Sequence, residues 1–239
     1  MFCWGLRVTP TMTHFDLLDA FKEEGCAVCR LTLRSVERFI ESANRDLVNS
    51  PDFWNSVKAA LGFCNLHAQQ WLTSAHPLGT AYLYEAVLGQ IGEELEQQRP
   101  GRQSGLLGRF GTRGDSPALM PDKRCPVCIH REEHEAAVLR ILLSGLGDEA
   151  FQHAYQASPG LCFPHLRSAL SRASGPTFDL LRAHALTGQT RLREQLREII
   201  RKHDYRFRDE PTGEERGATD RAVNHVAGAP GIDDRRPIS

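Results

Sequence analysis

The chain has 239 residues, 41% of them hydrophobic and 25% charged, with a formal net charge of -1. That is the make-up of an ordinary soluble globular protein, long enough for one large domain or two small ones. A near-zero charge supplies no global field to select a polyanion, no run of residues is apolar and long enough to span a membrane, and the opening MFCWGLRVTPTM lacks the apolar core of a secretory signal, so the cytoplasm is the expected compartment.

Residues 1–12 read as an unstructured extension carrying an incidental thiol, Cys3. Met12 precedes a candidate cap, Thr13, and an apolar pattern at Phe15, Leu17, Leu18 and Phe21, which suits the start of the folded unit. From Cys26 onward Leu31, Leu33, Val36, Phe39, Ile40 and Ala43 trace a helical stripe. Ser50-Pro51-Asp52 then offers a cap, a proline at the first helical position and an acid in the first turn, and a short helix through Phe53, Trp54 and Val57 stops at Gly62. Cys64-Asn-Leu-His67 opens a further helix through Trp71, and Pro77-Leu78-Gly79 turns into a longer one carrying Tyr82, Leu83, Val87 and Ile91.

Residues 97 to 124 hold five glycines, three prolines and six basic against two acidic residues, the composition of a linker. Its Arg113-Gly114-Asp115 matches an integrin-binding tripeptide by coincidence, and Arg99, Arg102, Arg109 and Arg113 are basic without interleaved aromatics. The order of helices then recurs: one from Cys125 through Leu143, a short one around Phe151 and Tyr155, one opened by Cys162-Phe-Pro-His165, and a long one from Thr177 to about Arg201. Thr212-Gly-Glu-Glu215 has capping-box spacing ahead of a short terminal helix through Ala222, Val223 and Val226, and a frayed tail is expected from Gly228 onward.

The expected architecture is therefore all-α, two homologous halves of about four helices, each with one metal site. The domain plan is an extension at 1–12, a first repeat at 13–98, a linker at 99–123, a second repeat at 124–203, a C-terminal segment at 204–228 and a tail at 229–239. The duplication rests on flanks that match at an offset of 98 or 99 residues: Gly62-Phe-Cys64-Asn-Leu-His67 answers Gly160-Leu-Cys162-Phe-Pro-His165, and Gly89 and Gln90 answer Gly188 and Gln189.

The chemistry sits in the recurring foursome. Cys26, Cys29, Cys64 and His67 are spaced CxxC, 34 residues, CxxH, and Cys125, Cys128, Cys162 and His165 repeat it with 33 residues between. Residues three apart on a helix share a face, so each pair aims two donors at one point, and thiolate with imidazole is the donor set zinc prefers. A Cys3His set leaves a tetrahedral ion with no open position, which reads as a structural site. One ion is assigned to Cys26, Cys29, Cys64 and His67 and a second to Cys125, Cys128, Cys162 and His165, although spacing alone leaves open whether ligands pair within a copy or across copies. Disulfides fit less well, since they give no reason for the histidines and the expected compartment is reducing. An iron-sulfur cluster on the same eight ligands is the alternative to zinc.

Three thiolates around a divalent ion leave net negative charge, which Arg30, Lys123, Arg124 or Arg131 could balance, unless they are ordinary solvent-facing charges. His130 and His134 stand one helical turn apart, but the arginine at 131 excludes the HExxH arrangement and a charged helix face accounts for them. No GxSxG elbow, P-loop or GxGxxG is present, and the strands of a thioredoxin are missing, so the reading leans away from an enzyme.

The phrases GCAVCRL with GFCNLHAQQWL and RCPVCIH with GLCFPHLRSAL, followed by His203-Asp204-Tyr205-Arg206-Phe207 and Glu214-Glu215, resemble a bacterial domain family of unknown function whose members carry two CxxC and CxxH sets. The resemblance spans roughly residues 13 to 228, supports the metal constellation, and implies no activity. The expected function is a metal-binding helical module of binding or regulatory type with an unidentified protein partner. Nucleic acid ranks behind it, resting on the basic linker and on Arg191, Arg193, Arg197, Arg201 and Lys202, which Glu194 and Glu198 dilute.

Overall fold

The computed structural model describes residues 12–45, 50–74, 76–97, 121, 123–207 and 209–232. The described residues contain helices and no strand: α1 Met12–Ala20, α2 Ala27–Arg45, α3 Pro51–Ala59, α4 Asn65–Ser74, α5 Pro77–Gln97, α6 Pro126–Gly145, α7 Glu149–Ala157, α8 Phe163–Leu170, α9 Gly175–Lys202 and α10 Ala218–Ala227. Cys3, the Arg-Gly-Asp tripeptide and the linker arginines lie outside the described residues.

The helices form where periodicity and punctuation place them. Pro51 occupies the start of α3 with Asp52 in its first turn, although the Ser50 side chain makes no capping bond. Asp148 caps α7 by accepting from the Phe151 amide at 3.0 Å. Two expectations at helix ends are corrected. Thr13 lies inside α1, which begins at Met12. The capping-box spacing at Thr212 does not start a helix, because the Glu215 carboxylate is taken up by the Gly213 amide and by Lys202 Nζ at 2.8 Å, and α10 begins after Gly217.

The chain forms two compact units whose boundary cuts across the two sequence copies: Met1–Ser35 with Glu132–Ser239, and Val36–Arg131. The boundary falls inside α2 and inside α6, so each of these helices contributes to both units. In the first unit α8, α9 and α10 pack together and α1 packs on α7. Its core joins Leu17, Val28, Leu139, Leu142 and Leu181, each 0–1% exposed, to Phe151 and Tyr155. Phe21 meets both rings edge-on, with centroids 5.3 and 5.7 Å away.

In the second unit α3 packs on α5, and Val57, Leu83 and Val87 are buried with Phe53 and Trp71. The Trp71 ring lies 4.9 Å from Phe63 and 6.2 Å from Phe53, and its indole N–H donates to Thr80 Oγ1 at 3.0 Å, which satisfies the one polar atom of a ring otherwise in the core. Each such large apolar side chain contributes roughly 1.5–3 kcal/mol on burial. The final turns depart from the frayed tail expected at Gly228: Ile232 is 5% exposed, and the chain is packed as far as that residue.

Candidate metal centres

All four ligand pairs open helices in the same way. The carbonyls of Cys26, Cys64, Cys125 and Cys162 accept the amides of Arg30, Ala68, Ile129 and Leu166 at 2.8–3.2 Å, so the first cysteine of each pair stands at the cap position and the second ligand sits one turn in. The helix N-terminus supplies positive potential at the sulfur, which favours thiolate over thiol. Before each CxxH the chain turns sharply through a glycine with left-handed backbone, Gly62 at φ 100° and Gly160 at φ 84°, a conformation costly to a residue with a Cβ. In the second turn Ser158 Oγ also accepts the Gly160 amide at 3.1 Å.

The structure brings all eight predicted ligands into two groups, but with partners exchanged between the sequence copies. Centre A contains Cys26, Cys29, Cys162 and His165, and centre B contains Cys64, His67, Cys125 and Cys128, the ligand atoms of each lying within 4.8 Å of one another. The assignment of one ion to Cys26, Cys29, Cys64 and His67 and another to Cys125, Cys128, Cys162 and His165 is therefore corrected. Each CxxC meets the CxxH of the other copy because α2 begins in the first unit and α6 begins in the second, while α8 and α4 lie in those same units.

In centre A, His165 Nδ1 stands 3.1 Å from Cys162 Sγ and 3.4 Å from both Cys26 and Cys29, and the Cys29 and Cys162 sulfurs are 3.6 Å apart. In centre B, His67 Nδ1 stands 3.1, 3.3 and 3.7 Å from Cys64, Cys128 and Cys125, and the Cys64 and Cys128 sulfurs are 3.5 Å apart. Bond lengths of about 2.3 Å to sulfur and about 2.1 Å to nitrogen give a tetrahedron edges of about 3.8 Å between sulfurs and about 3.5 Å between sulfur and nitrogen. In both centres these sulfur-nitrogen distances and this sulfur-sulfur distance lie within about 0.4 Å of those edges, and both histidines present the same nitrogen.

Without a cation the clustered groups divide charge unevenly. In centre A burial favours the neutral Cys26 thiol, but hydrogen bonds from Cys162, Cys29 and His165 outweigh it and hold Cys26 well below the usual thiol range. Cys29 is pushed up by the neighbouring Cys162 and Cys26 and by burial. Burial works against charge on His165, yet Cys162, Cys26 and Glu135 together push its imidazole up to about 12. In centre B Cys125 is lowered to about 3, chiefly by its hydrogen bond from Cys128 and against burial, while Cys128 is raised by Cys125 and by burial, and Cys64 mainly by burial. One metal ion would let all three sulfurs carry charge together.

The surroundings of the two centres differ. His165 Nε2 lies 3.3 Å from Glu135 Oε1, the carboxylate-histidine arrangement that orients metal-ligating imidazoles. His67 is 0% exposed, and its Nε2 has no hydrogen-bond partner among the described residues. The residue at the position corresponding to Glu135, 99 earlier in the chain, is the buried Val36, which cannot accept a bond.

Centre A is also closed by a segment whose sequence pattern is that of a tail. The Ala229 amide donates to Cys29 Sγ at 3.5 Å, and Ile232 is buried against Cys29 and Cys162. Gly228, at φ 90°, lets the chain turn there, since a Cβ would stand 2.7 Å from Ile232 Cγ2 and within 3.9 Å of both sulfurs. No sequence signal marks this closure, because a single isoleucine among glycine and proline has no periodicity to read.

The cations weighed for charge balance are used in different ways. Arg30 donates to the Glu24 carbonyl, Lys123 and Arg124 are exposed, and Arg131 is buried at 3% exposure. His130 stacks on Phe39 with centroids 4.4 Å apart, and neither it nor His134 belongs to a metal-ligand group among the described residues.

Among the described residues no helix is long and apolar enough to cross a membrane. No curated protein and no solved structure matches the chain. The family model of DUF6062, a family of unknown function, matches residues 10–231, and the chain belongs to that family.

Proposed function

We propose that the protein is a cytoplasmic binding or regulatory module in which each compact unit is fastened by one structural zinc ion, and that its two CxxC and CxxH segments arose by duplication. The observation that carries the zinc reading is the spacing of the donors: in each set of three sulfurs and one imidazole nitrogen, the three sulfur-nitrogen distances and one sulfur-sulfur distance are 3.1–3.7 Å, and all four atoms lie within 4.8 Å of one another, as around a single ion. An iron-sulfur cluster distributes its protein ligands over more than one iron, which asks for a wider set. Four protein donors leave no open position for substrate, which supports a structural role over a catalytic one. Exchange of ligands between copies suits duplication, since either CxxC is equipped to meet either CxxH.

The ions would hold α2 against α8 and α6 against α4 at their N-terminal ends, and the unidentified partner, in this reading a protein, would engage the surfaces those helices support. Elemental analysis of the purified protein tests the metal: two equivalents of zinc are expected and a colourless solution. A brown preparation with broad visible absorption, or no stoichiometric metal, would overturn it. Strongly salt-dependent binding of nucleic acid would overturn the choice of partner class.

A further inference from the structure

We propose that the two centres are functionally unequal: centre B is an exchangeable site that yields its zinc first, while centre A is held inert by Glu135 acting as a positioning residue for His165. The proposal rests on the zinc reading above. Three observations point the same way. First, His165 has a carboxylate on its far nitrogen and His67 has none among the described residues, so an Nδ1-bound His67 would keep a buried N–H without an acceptor there. Second, centre A has two buried cysteines, Cys29 and Cys162 at 1% and 3% exposure under Ile232, beside a half-buried Cys26, whereas centre B has one, Cys125 at 8%, beside half-buried Cys64 and Cys128. Third, the Ala229 amide donates to a centre A sulfur and stabilises its negative charge.

Loss of zinc to a competing ligand needs that ligand to reach the ion and needs one protein donor to swing away. At centre A, Glu135 holds the imidazole and the 228–232 segment covers Cys29 and Cys162, so both events are opposed. At centre B the far side of the His67 ring is held by packing without a polar partner among the described residues, and the half-buried Cys64 and Cys128 let a soluble chelator or thiol approach. The chemistry is ligand exchange without oxidation: one Zn–S bond breaks as one bond to the competitor forms, and the freed thiolate takes a proton from water.

The test uses the full chain with both ions bound and the chromophoric chelator 4-(2-pyridylazo)resorcinol, with iodoacetamide to mark freed thiols. One zinc equivalent should leave at least about tenfold faster than the other. At the end of the fast phase Cys64, Cys125 and Cys128 should be alkylated while Cys26, Cys29 and Cys162 stay protected. Glu135→Ala should accelerate the slow phase by about 10–100-fold and leave the fast phase unchanged, with Glu135→Gln, whose amide oxygen still accepts the imidazole N–H, in between. Release of both equivalents in one phase, protection of the opposite set of cysteines, or an unchanged slow phase in Glu135→Ala would overturn the inequality. The alkylation pattern is read in the unaltered protein, so it decides the proposal even where a variant folds poorly. A preparation with no zinc defeats the underlying metal reading instead.

Discussion

Centre A and centre B are built from the same four residue types on the same kind of helix openings, yet one is buttressed and the other is not. The ligands are equivalent; the residues behind them are not. Glu135 backs His165 where the corresponding position holds Val36, and residues 228–232 lie over Cys29 and Cys162. A coordination motif thus specifies which atoms would meet a metal, while the strength and accessibility of such a site depend on neighbours that the motif does not include.

The largest effect that would break this comparison is loss of a ligand. Cys64→Ser should cut the zinc content from two equivalents to one, release Cys125 and Cys128 to alkylation, and leave Cys26 and Cys29 protected. Were ligands shared within a sequence copy, Cys26 and Cys29 would be freed instead. Because binding of a structural zinc contributes about 10–16 kcal/mol to folding in small peptides, circular dichroism should show one unit losing its cooperative melt.

Next in size is Ile232→Ala, expected to destabilise the unit that holds centre A by about 2–5 kcal/mol and to expose Cys29 and Cys162 to alkylation, with the reactivity of Cys64 and Cys128 unchanged. Gly228→Ala asks less of the structure, a left-handed backbone and a displaced Ile232 side chain, and should cost about 1–3 kcal/mol by chemical denaturation with the same selectivity for centre A.

The smallest effect concerns the approach to α10. The Lys202 ammonium, with the Gly213 amide, holds the Glu215 carboxyl down at about 2. A depressed folded value contributes stability that is present above the ordinary carboxyl value of about 4.5 and is lost as pH falls towards 2. In Lys202→Met the Glu215 carboxyl should titrate closer to its ordinary value, followed by carbon NMR, and the Cys29 and Cys162 thiols should become slightly more reactive while those of centre B do not change. An equal rise at both centres would show that the C-terminal segment does not act selectively.

Much of the site is legible in the sequence. Residues three apart on a helix are forced onto one face, so local geometry alone makes each CxxC and CxxH a two-point ligand. Pro51 and Pro77 sit at helix starts and Gly62 at a helix end, where their backbone preferences are independent of context. The cap predicted from Thr212 and Glu215 failed for the opposite reason: Glu215 had a better partner in Lys202, 13 residues away in sequence and invisible to local spacing.

The sequence by itself determined the eight candidate ligands, the helical class and the location of each CxxC and CxxH pair at a helix opening, because these depend on contacts within a few residues. Only the tertiary structure decided that each CxxC closes on the CxxH of the other copy, that Glu135 backs one histidine, and that Ile232 covers one centre. Those choices depend on which helices share a unit, and for centre A they span more than a hundred residues of chain. There the cost of loop closure rises so slowly with length that burial of side chains, rather than proximity along the chain, selects the partner.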